Sequence, residues 1–269
     1  MHCEYHSGIA CNCVKISVFL QNISQKLRYC LEFSYHGKKY FGYQIQPKEI
    51  SVQEVLEDAI STILQQKIKI TAAGRTDTGV HAKKMFAHFD VENELGNNVV
   101  HQLNSYLPSD IAVQKIFEVK EDFHARFDAT FRTYQYQISL VKDPFTEDFS
   151  WQMWKRKLDV NRMNLASKIL LEYSDFTSFS KVNTDTQTNI CKINRADWEL
   201  QNNKLTFTIS ADRFLRNMVR AIVGTLVEIG AGKYEPAYLK QIIEDQNRCS
   251  AGTSAPAKGL FLVDVGYPE

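Results

Sequence analysis

The sequence predicts an α+β protein of two halves, each a β-sheet with helices on one face. Two observations support this prediction. Runs of two-residue hydrophobic alternation, which is typical of half-buried strands, are interspersed with amphipathic stretches of helical period. Strands and helices also follow one another in this way on both sides of about residue 125. We therefore expect an N-terminal half over residues 27–125 and a C-terminal half over residues 126–269.

The N-terminal half opens with LRYCLEFSY, whose strict alternation predicts a strand over residues 27–35. SVQE has the form of a capping box, with Ser51 as the cap, and an apolar stripe of helical spacing follows it. The β-prone run KIKIT leads into a loop around Asp77, and the alternating run KKMFAHFDV leads out of it. A short helix from about Asn98 and the strand IAVQKIFEV complete this half.

The C-terminal half opens with FRTYQYQISL, a predicted strand that places Tyr134 and Tyr136 on one face. Asp159 is a good helix cap, and two later strands are predicted to form a hairpin across QNN. The remaining predicted elements are a long helix from about Arg213 to Ile229 ended by Gly230, a helix opened by Pro236, and a final strand in GLFLVDV.

Composition excludes several classes of protein. Lys and Arg total 32 against 31 acids, so any binding of nucleic acid must depend on clustered rather than overall charge. The hydrophobic fraction of 44% is that of a globular chain, and no apolar run approaches the roughly 18 residues that cross a bilayer. Six scattered cysteines in a chain of this length favour reduced thiols and a cytoplasmic location.

Residues 1–26 lack globular patterning, although MHCEYHSGIACNC is rich in His and Cys. Their spacing fits no familiar zinc finger, and nothing downstream completes a ligand set. We therefore expect no metal site here. The segment is interpreted as a disordered extension or as the product of a start codon assigned too early.

The stretch AAGRTDTGVHA contains the first candidate for chemistry. Asp77 lies between Gly74 and Gly79, with Arg75 before it and His81 after it. A glycine-bracketed loop between two strands holds one reactive side chain on a rigid frame. DTG also matches the aspartic-peptidase signature, but that site needs a second copy and an apolar lead-in, and the sequence has neither. His81, His88 and His124 are better explained as packed or surface histidines than as metal ligands.

The second candidate is ADRFLRNMVRAIVG. On a helix, its arginines would share one face that carries no acid: Arg213, Arg216 and Arg220, together with Asn217 and Gly224. A solvated face is the ordinary interpretation of a charged stripe, but an arginine row without acids favours anions such as phosphate. A guanidinium beside a sheltered carboxylate would keep it ionised through two parallel hydrogen bonds. Asp77 with Arg220 would be such a pair, although the sequence alone does not show that the two residues meet. Aromatic residues beside charge in KKYFGYQ, FRTYQYQ and SWQMWKRK suggest stacking on bases.

These stretches together resemble the tRNA pseudouridine synthase A (TruA) family. AAGRTDTGVHA is similar to its catalytic loop. YHGKKYFGYQIQP, SVQEVLEDAI, LPSDIAV, FHARFDATFRTYQY, DFTSF, FLRNMVRAIVG and AKGLFLVDVGYP follow in the order of the family. The resemblance covers the chain from about Leu27 to its end. One departure is Thr78, which stands where many members have alanine.

The resemblance implies roles for particular residues. Asp77 matches the nucleophilic aspartate, Arg220 the arginine that pairs with it, and Tyr134 the tyrosine that stacks on the target base. Arg75 matches a residue that contacts the RNA where the base leaves its stack, and Leu262 an apolar contact near the uracil. Four further basic residues are expected to bind RNA beside this cleft: Arg213, Arg216, Lys38 and Lys39.

The resemblance also implies the reaction and the architecture. Members isomerise uridine to pseudouridine at tRNA positions 38 to 40, in the anticodon stem-loop, on a flipped-out base and without a cofactor or metal. The implied fold is two RRM-like (ferredoxin-like) halves whose mainly antiparallel sheets join, with the active cleft between them, in a homodimer. Whether Asp77 attacks the uracil ring or the ribose stays open. A non-catalytic tRNA-binding or chaperone protein of the same fold is the alternative function.

Overall fold

The computed structural model describes residues 26–181 and 188–268. Apart from Lys26, the interpretation of residues 1–26 therefore concerns residues outside the described part of the chain. In the described part, strands and helices mix as predicted for an α+β protein. The strands are β1 (Leu27–Tyr35), β2 (Thr71–Ala72), β3 (His81–Val91), β4 (Ile111–Val119), β5 (Phe131–Ser139), β6 (Trp151–Gln152), β7 (Ile193–Gln201), β8 (Lys204–Ala211) and β9 (Leu260–Gly266). The helices are α1 (Val52–Leu64), α2 (Val99–Tyr106), α3 (Val160–Ile169), α4 (Met218–Gly230) and α5 (Tyr238–Glu244).

All of these strands belong to one mixed sheet with the order β4-β1-β3-β9-β5-β8-β7. The two short strands attach at its sides, β2 to β3 and β6 to β5. Strand β9 connects the two parts of the sheet, because it pairs in parallel with β3 and antiparallel with β5. The sequence predicts this strand but not its position between strands that precede it by more than a hundred residues.

Local signals explain the best-predicted elements. Ser51 has an extended backbone, and its side chain accepts the N–H of Glu54 at 3.2 Å, as expected for the cap of α1. Asp159 accepts the N–H groups of two residues in the first turn of α3. Asn202 and Asn203, with φ of 49° and 62°, join β7 to β8 in a two-residue turn, whose left-handed backbone asparagine tolerates well.

The predicted start of the long helix at Arg213 is wrong. Helix α4 begins at Met218, and Asn217 before it has φ of 65°, in the left-handed region that ends regular helix geometry. The arginines at 213 and 216 therefore lie on a loop. Gly224 offers no open space on this face, because a Cβ there would lie 1.8 Å from the carbonyl oxygen of Thr253. The glycine instead lets the 253–255 loop pack against α4.

Two apolar clusters form the core, one on each side of the joining strand. One contains residues of β1, β3, α1 and α2, and the other contains residues of β5, β8, α3 and α4. Val80, at the end of the Asp77 loop, packs in the C-terminal cluster although it belongs to the N-terminal half of the sequence. Tyr134 packs against both clusters. The residues around Asp77 are therefore fixed where the two clusters meet.

His81 and His88 are both buried and hydrogen-bonded, as expected of packed histidines. The Nδ1 atom of His81 accepts the N–H of Gly37, and its Nε2 lies 3.1 Å from the carbonyl oxygens of both Asp148 and Lys258. The ring is neutral because Nδ1 accepts a hydrogen bond, and its one proton lies on Nε2, which faces the two carbonyl oxygens. The Nδ1 atom of His88 accepts the N–H of Ala125. Burial is the main cause that lowers the pKa of each ring to about 4.

Several chemical features can be stated for the described ranges alone. They contain no group of three or more His, Cys, Asp or Glu side chains arranged to hold a metal ion. No helix among them has the length and hydropathy needed to cross a bilayer. Cys30, Cys191 and Cys249 are free thiols.

The two buried histidines predict a loss of stability in acid. A ring whose folded pKa is about 4 and whose unfolded value is 6.5 binds its proton more readily in the unfolded chain. Each ring thus contributes stability that is complete above pH 6.5 and is lost as pH falls towards 4, by at most about 3 kcal/mol. Thermal melts should therefore give a Tm that falls as the pH is lowered from 6.5 to 4.

The variant His88→Gln keeps an acceptor for the N–H of Ala125 but cannot be protonated. Its Tm should depend less on pH than that of the wild type. His101→Gln, at an exposed position of α2, is the control and should leave the profile unchanged. An acid-side loss as steep in His88→Gln as in the wild type would contradict the assignment.

Candidate active site

The loop of Asp77 is held by the backbone of residues 40–43. The N–H of Tyr43 donates to the carbonyl of Thr76 at 3.2 Å, and the N–H of Gly79 donates to the carbonyl of Tyr40 at 3.4 Å. Gly42 has φ of 89°, and a Cβ on it would lie 2.5 Å from the Thr76 carbonyl oxygen. Glycine is required there because two backbone segments touch. This contact fixes the direction in which Asp77 leaves the chain.

This geometry corrects the interpretation of the aromatic loop KKYFGYQ. Tyr40 and Tyr43 are buried core residues, and only Phe41 of the three aromatics is exposed. In SWQMWKRK, Trp151 packs on the core while Trp154 is exposed beside Lys155. Tyr40 and Tyr43 therefore belong to the segment that supports the Asp77 loop, and Trp151 belongs to the core of the C-terminal half.

Asp77 faces two guanidinium groups from the C-terminal half. Nη1 of Arg220 lies 3.5 Å from Oδ2 of the carboxylate, and Nε of Arg216 lies 3.6 Å from Oδ1. The predicted meeting of Asp77 with Arg220 is thus present, but the predicted pair of parallel hydrogen bonds is wrong. Each oxygen has its own arginine, at ion-pair rather than hydrogen-bond distance.

The two arginines are held differently. Nε of Arg220 donates to the carbonyl of Ala255 at 2.7 Å, so this edge of its guanidinium is unavailable to the carboxylate. The exposed fraction of the side chain is 21% for Arg220 and 57% for Arg216, against 24% for Asp77. Arg220 is therefore the fixed partner of the acid, and Arg216 is the one that remains open to solvent.

The site carries more positive than negative charge, which favours the binding of anions. One carboxylate and two guanidinium groups leave a local excess of positive charge. Arg216 was predicted to bind RNA, and its contact with Asp77 is a finding that the sequence interpretation missed. The i, i+4 spacing of the two arginines was the signal available, although they do not share a helix.

Tyr134, a residue of β5, lies beside Asp77. Its register partner on β9 is Leu262, so the two side chains leave the same face of the sheet, and its ring meets that of Phe214 edge-on at 5.2 Å. Burial, followed by the negative charge of Asp77, raises the pKa of Tyr134 to about 12. The phenol therefore keeps its proton at neutral pH. Leu262 is 1% exposed and packs in the N-terminal cluster next to the tyrosine.

The other residues predicted to bind RNA differ in their exposure and in their ion-pair partners. Arg75 is exposed on the Asp77 loop, and Arg213 is partly buried. Lys38 forms an ion pair with Asp148 at 2.8 Å, and Lys39 lies 3.3 Å from a carboxylate oxygen of Asp110. These two lysines are thus already partly neutralised by acids of the same chain, which the sequence could not indicate.

Two cavities of the described part of the chain lie apart from Asp77. One of about 490 Å³ lies near Ile50 and Tyr106, and one of about 610 Å³ lies near His36 and Phe261. Neither is lined by Asp77, Tyr134 or Arg220. Asp77 is 24% exposed and lies between its own loop and the arginine of the loop before α4.

A family model and three known proteins that are similar to this chain indicate the same family. A family model described as tRNA pseudouridine synthase matches residues 33–128 and 166–268. The tRNA pseudouridine synthase A of Bacteroides fragilis is 54% identical over 246 residues, which is 90% of this chain and 97% of that protein. The protein of the same name from Parabacteroides distasonis is 50% identical over 90% of this chain and 96% of its own length. That of Bacillus pumilus is 38% identical over 87% of this chain and 96% of its own length.

Both segments of the family match include residues of the site. The first contains Asp77, and the second contains Arg216, Arg220 and Leu262. Identity of about half over nine-tenths of the chain is far beyond what a shared fold alone would produce. The chain therefore belongs to the tRNA pseudouridine synthase family of isomerases, which convert uridine in tRNA to pseudouridine.

Proposed function

We propose that Asp77 is the nucleophile of this enzyme, acting on a flipped-out uridine at tRNA positions 38 to 40 in the anticodon stem-loop. The observation that supports it is the carboxylate of Asp77 with one guanidinium on each oxygen, beside a protonated tyrosine. An ionised, oriented carboxylate that retains some exposure has the properties a nucleophile requires.

The reaction needs no cofactor because its atoms balance within the substrate. The bond from N1 of uracil to C1′ of the ribose breaks, and a bond from C5 to C1′ forms. The hydrogen on C5 is lost as a proton, and N1 gains one. Asp77 stabilises the separated state by a covalent bond either to the uracil ring or to the ribose. Nothing is oxidised, so the protein must supply only a nucleophile, orientation and proton handling.

The arginines orient Asp77. Arg220 holds one carboxylate oxygen in place because its own guanidinium is fixed on Ala255. Arg216, more exposed, contacts the other oxygen from the solvent side, where an RNA phosphate would also approach. Arg216 would thus contribute both to substrate binding and to the orientation of Asp77.

Tyr134 and Leu262 would receive the base. Extruding a stacked uridine costs a few kcal/mol, and stacking on an aromatic ring returns about 1–3 kcal/mol. With its pKa raised to about 12, the Tyr134 phenol can donate a hydrogen bond but is a poor resting base. The C5 proton must therefore pass to another acceptor. It can pass to Tyr134 only after the charge at the site has changed.

The remaining parts of the proposal concern binding and organisation. Arg75, Arg213, Lys38 and Lys39 would contact the phosphates around the extruded base. The domains would be two RRM-like halves, over residues 27–125 and 126–269, with the active cleft between them. Free thiols and a tRNA substrate support a cytoplasmic location.

Asp77→Asn should fold and bind tRNA but produce no pseudouridine, since the amide keeps the shape of the side chain and loses its nucleophilicity. Chemical mapping of pseudouridine in treated tRNA measures this. Asp197→Asn, which removes an acid paired with Arg195 on β7, is the control and should be fully active. Pseudouridine from Asp77→Asn at the wild-type rate would exclude Asp77 as the nucleophile. Wild-type product outside positions 38 to 40 would refute the anticodon assignment alone.

The two arginines should differ in their contribution to the rate. Arg220→Gln should lower kcat by about 10²-fold or more, because it removes the fixed partner of the acid. Arg216→Gln should lower it by only about tenfold and should also weaken tRNA binding, because this side chain is mostly solvated. Single-turnover rates and filter binding separate the two effects. Equal losses in kcat would contradict the assignment of Arg220 as the principal partner.

Dimerisation is the last part of the proposal. We expect two chains to associate so that one tRNA contacts both. Sedimentation equilibrium should give twice the mass of one chain. One bound tRNA should crosslink to residues of both subunits. A monomer that retains full activity at nanomolar concentration would refute this part without affecting the role of Asp77.

A further inference from the structure

Arg132, which has no place in the site described so far, makes an unusual set of hydrogen bonds. Its Nη1 donates to the carbonyls of Ala129 and Asp212, both at 2.8 Å. Its Nη2 donates to the carbonyls of Ala73 at 3.0 Å and Arg126 at 2.6 Å. All four acceptors are main-chain groups, and they belong to three segments that are far apart in sequence.

Each of the three segments leads to a part of the site. Ala73 lies four residues before Asp77 and is fixed to β3 through a bond from its N–H to the carbonyl of Phe86. Asp212 lies four residues before Arg216, on the loop that precedes α4. Residues 126 and 129 lie just before β5, where the sequence passes from one predicted half to the other.

Arg132 also lies on β5 two residues before Tyr134, so both side chains leave the same face of that strand. The nearby positive charge of Arg132 opposes the rise in the pKa of Tyr134, which places the two groups within electrostatic reach. The segments that carry the nucleophile, the arginines and the tyrosine thus converge on one guanidinium.

Physical chemistry argues against stability as the reason for an arginine here. A partly buried cation loses hydration, and burial lowers the pKa of Arg132. Neutral carbonyl dipoles compensate for such a charge less well than a carboxylate does. A planar fork, however, can hold several acceptors at fixed mutual positions, which the single ammonium of lysine cannot.

We propose that Arg132 is a positioning residue of this enzyme, which sets the distance between the Asp77 loop and the arginine loop by binding the backbone of both. The inference rests on the proposed role of Asp77 and its arginines. The pairs at 3.5 and 3.6 Å are long enough that a small displacement of either loop would separate them. A displacement of about 1 Å at a reacting group can cost 10²-fold in rate.

The test compares Arg132→Lys with Arg28→Lys. Arg28 is a matched control because it is also a partly buried arginine that bonds across segments, to Asp90 and to the carbonyl of Phe123, away from the site. Both variants should melt below the wild type. Arg132→Lys should lower kcat by about 10- to 100-fold with KM within about threefold, whereas Arg28→Lys should leave both constants unchanged below its Tm.

A double-mutant cycle distinguishes positioning from general loosening. If Arg132 acts through the arginines, Arg132→Lys should cost little further rate in an Arg220→Gln background, so the two losses are not additive. Additive losses, or an Arg132→Lys enzyme with the wild-type kcat, would overturn the inference. An active Asp77→Asn enzyme together with a coupled cycle would refute only the role of Asp77. An inactive Asp77→Asn enzyme with an additive cycle would refute only the role of Arg132.

Discussion

The carboxylate of Asp77 between two guanidinium groups is the interaction on which the rest of the site depends. Arg216 and Arg220 bring two positive charges to one place, and the acid is what makes their proximity favourable. The two cations in turn stabilise a carboxylate that is only partly exposed. The carboxylate comes from the N-terminal half and both guanidinium groups come from the C-terminal half, so this cluster forms only when the two halves are joined.

The fold provides that joint through backbone contacts rather than through charge. Strand β9 connects β3 to β5, and Val80 anchors the end of the Asp77 loop in the core of the other half. The loop containing Gly42 supports the Asp77 loop from one side, and the ring of His81 ties its end to the carbonyls of Asp148 and Lys258. The ion pairs are long and weak by comparison, so packing positions the charges and the charges determine the chemistry.

Sequence reasoning was most successful where the determinants are local. The bounds of β1, the cap of α1 at Ser51 and the turn at Asn202 and Asn203 all follow from a few neighbouring residues. The meeting of Asp77 with Arg220 also agreed with expectation, although it depended on resemblance to a family rather than on local pattern.

The sequence failed where tertiary contacts decide the outcome. Helical periodicity runs through residues 213–217, yet Asn217 adopts a left-handed backbone and the helix begins after it. The geometry at Arg220 could not be predicted because the carbonyl of Ala255, 35 residues away, occupies one edge of its guanidinium. The aromatics around Gly42 were assigned to RNA because nothing local reveals that a second loop covers them.

The position of β9 has a consequence for how the enzyme is made. Among the strands of the described sheet, β9 is synthesised last, and it must enter between two strands that were made long before it. Until it leaves the ribosome, Asp77 and its two arginines lie in parts of the fold that β9 has not yet joined. A nascent or prematurely terminated chain should therefore be inert towards RNA chemistry, so that activity itself reports that translation has reached the end of the sheet.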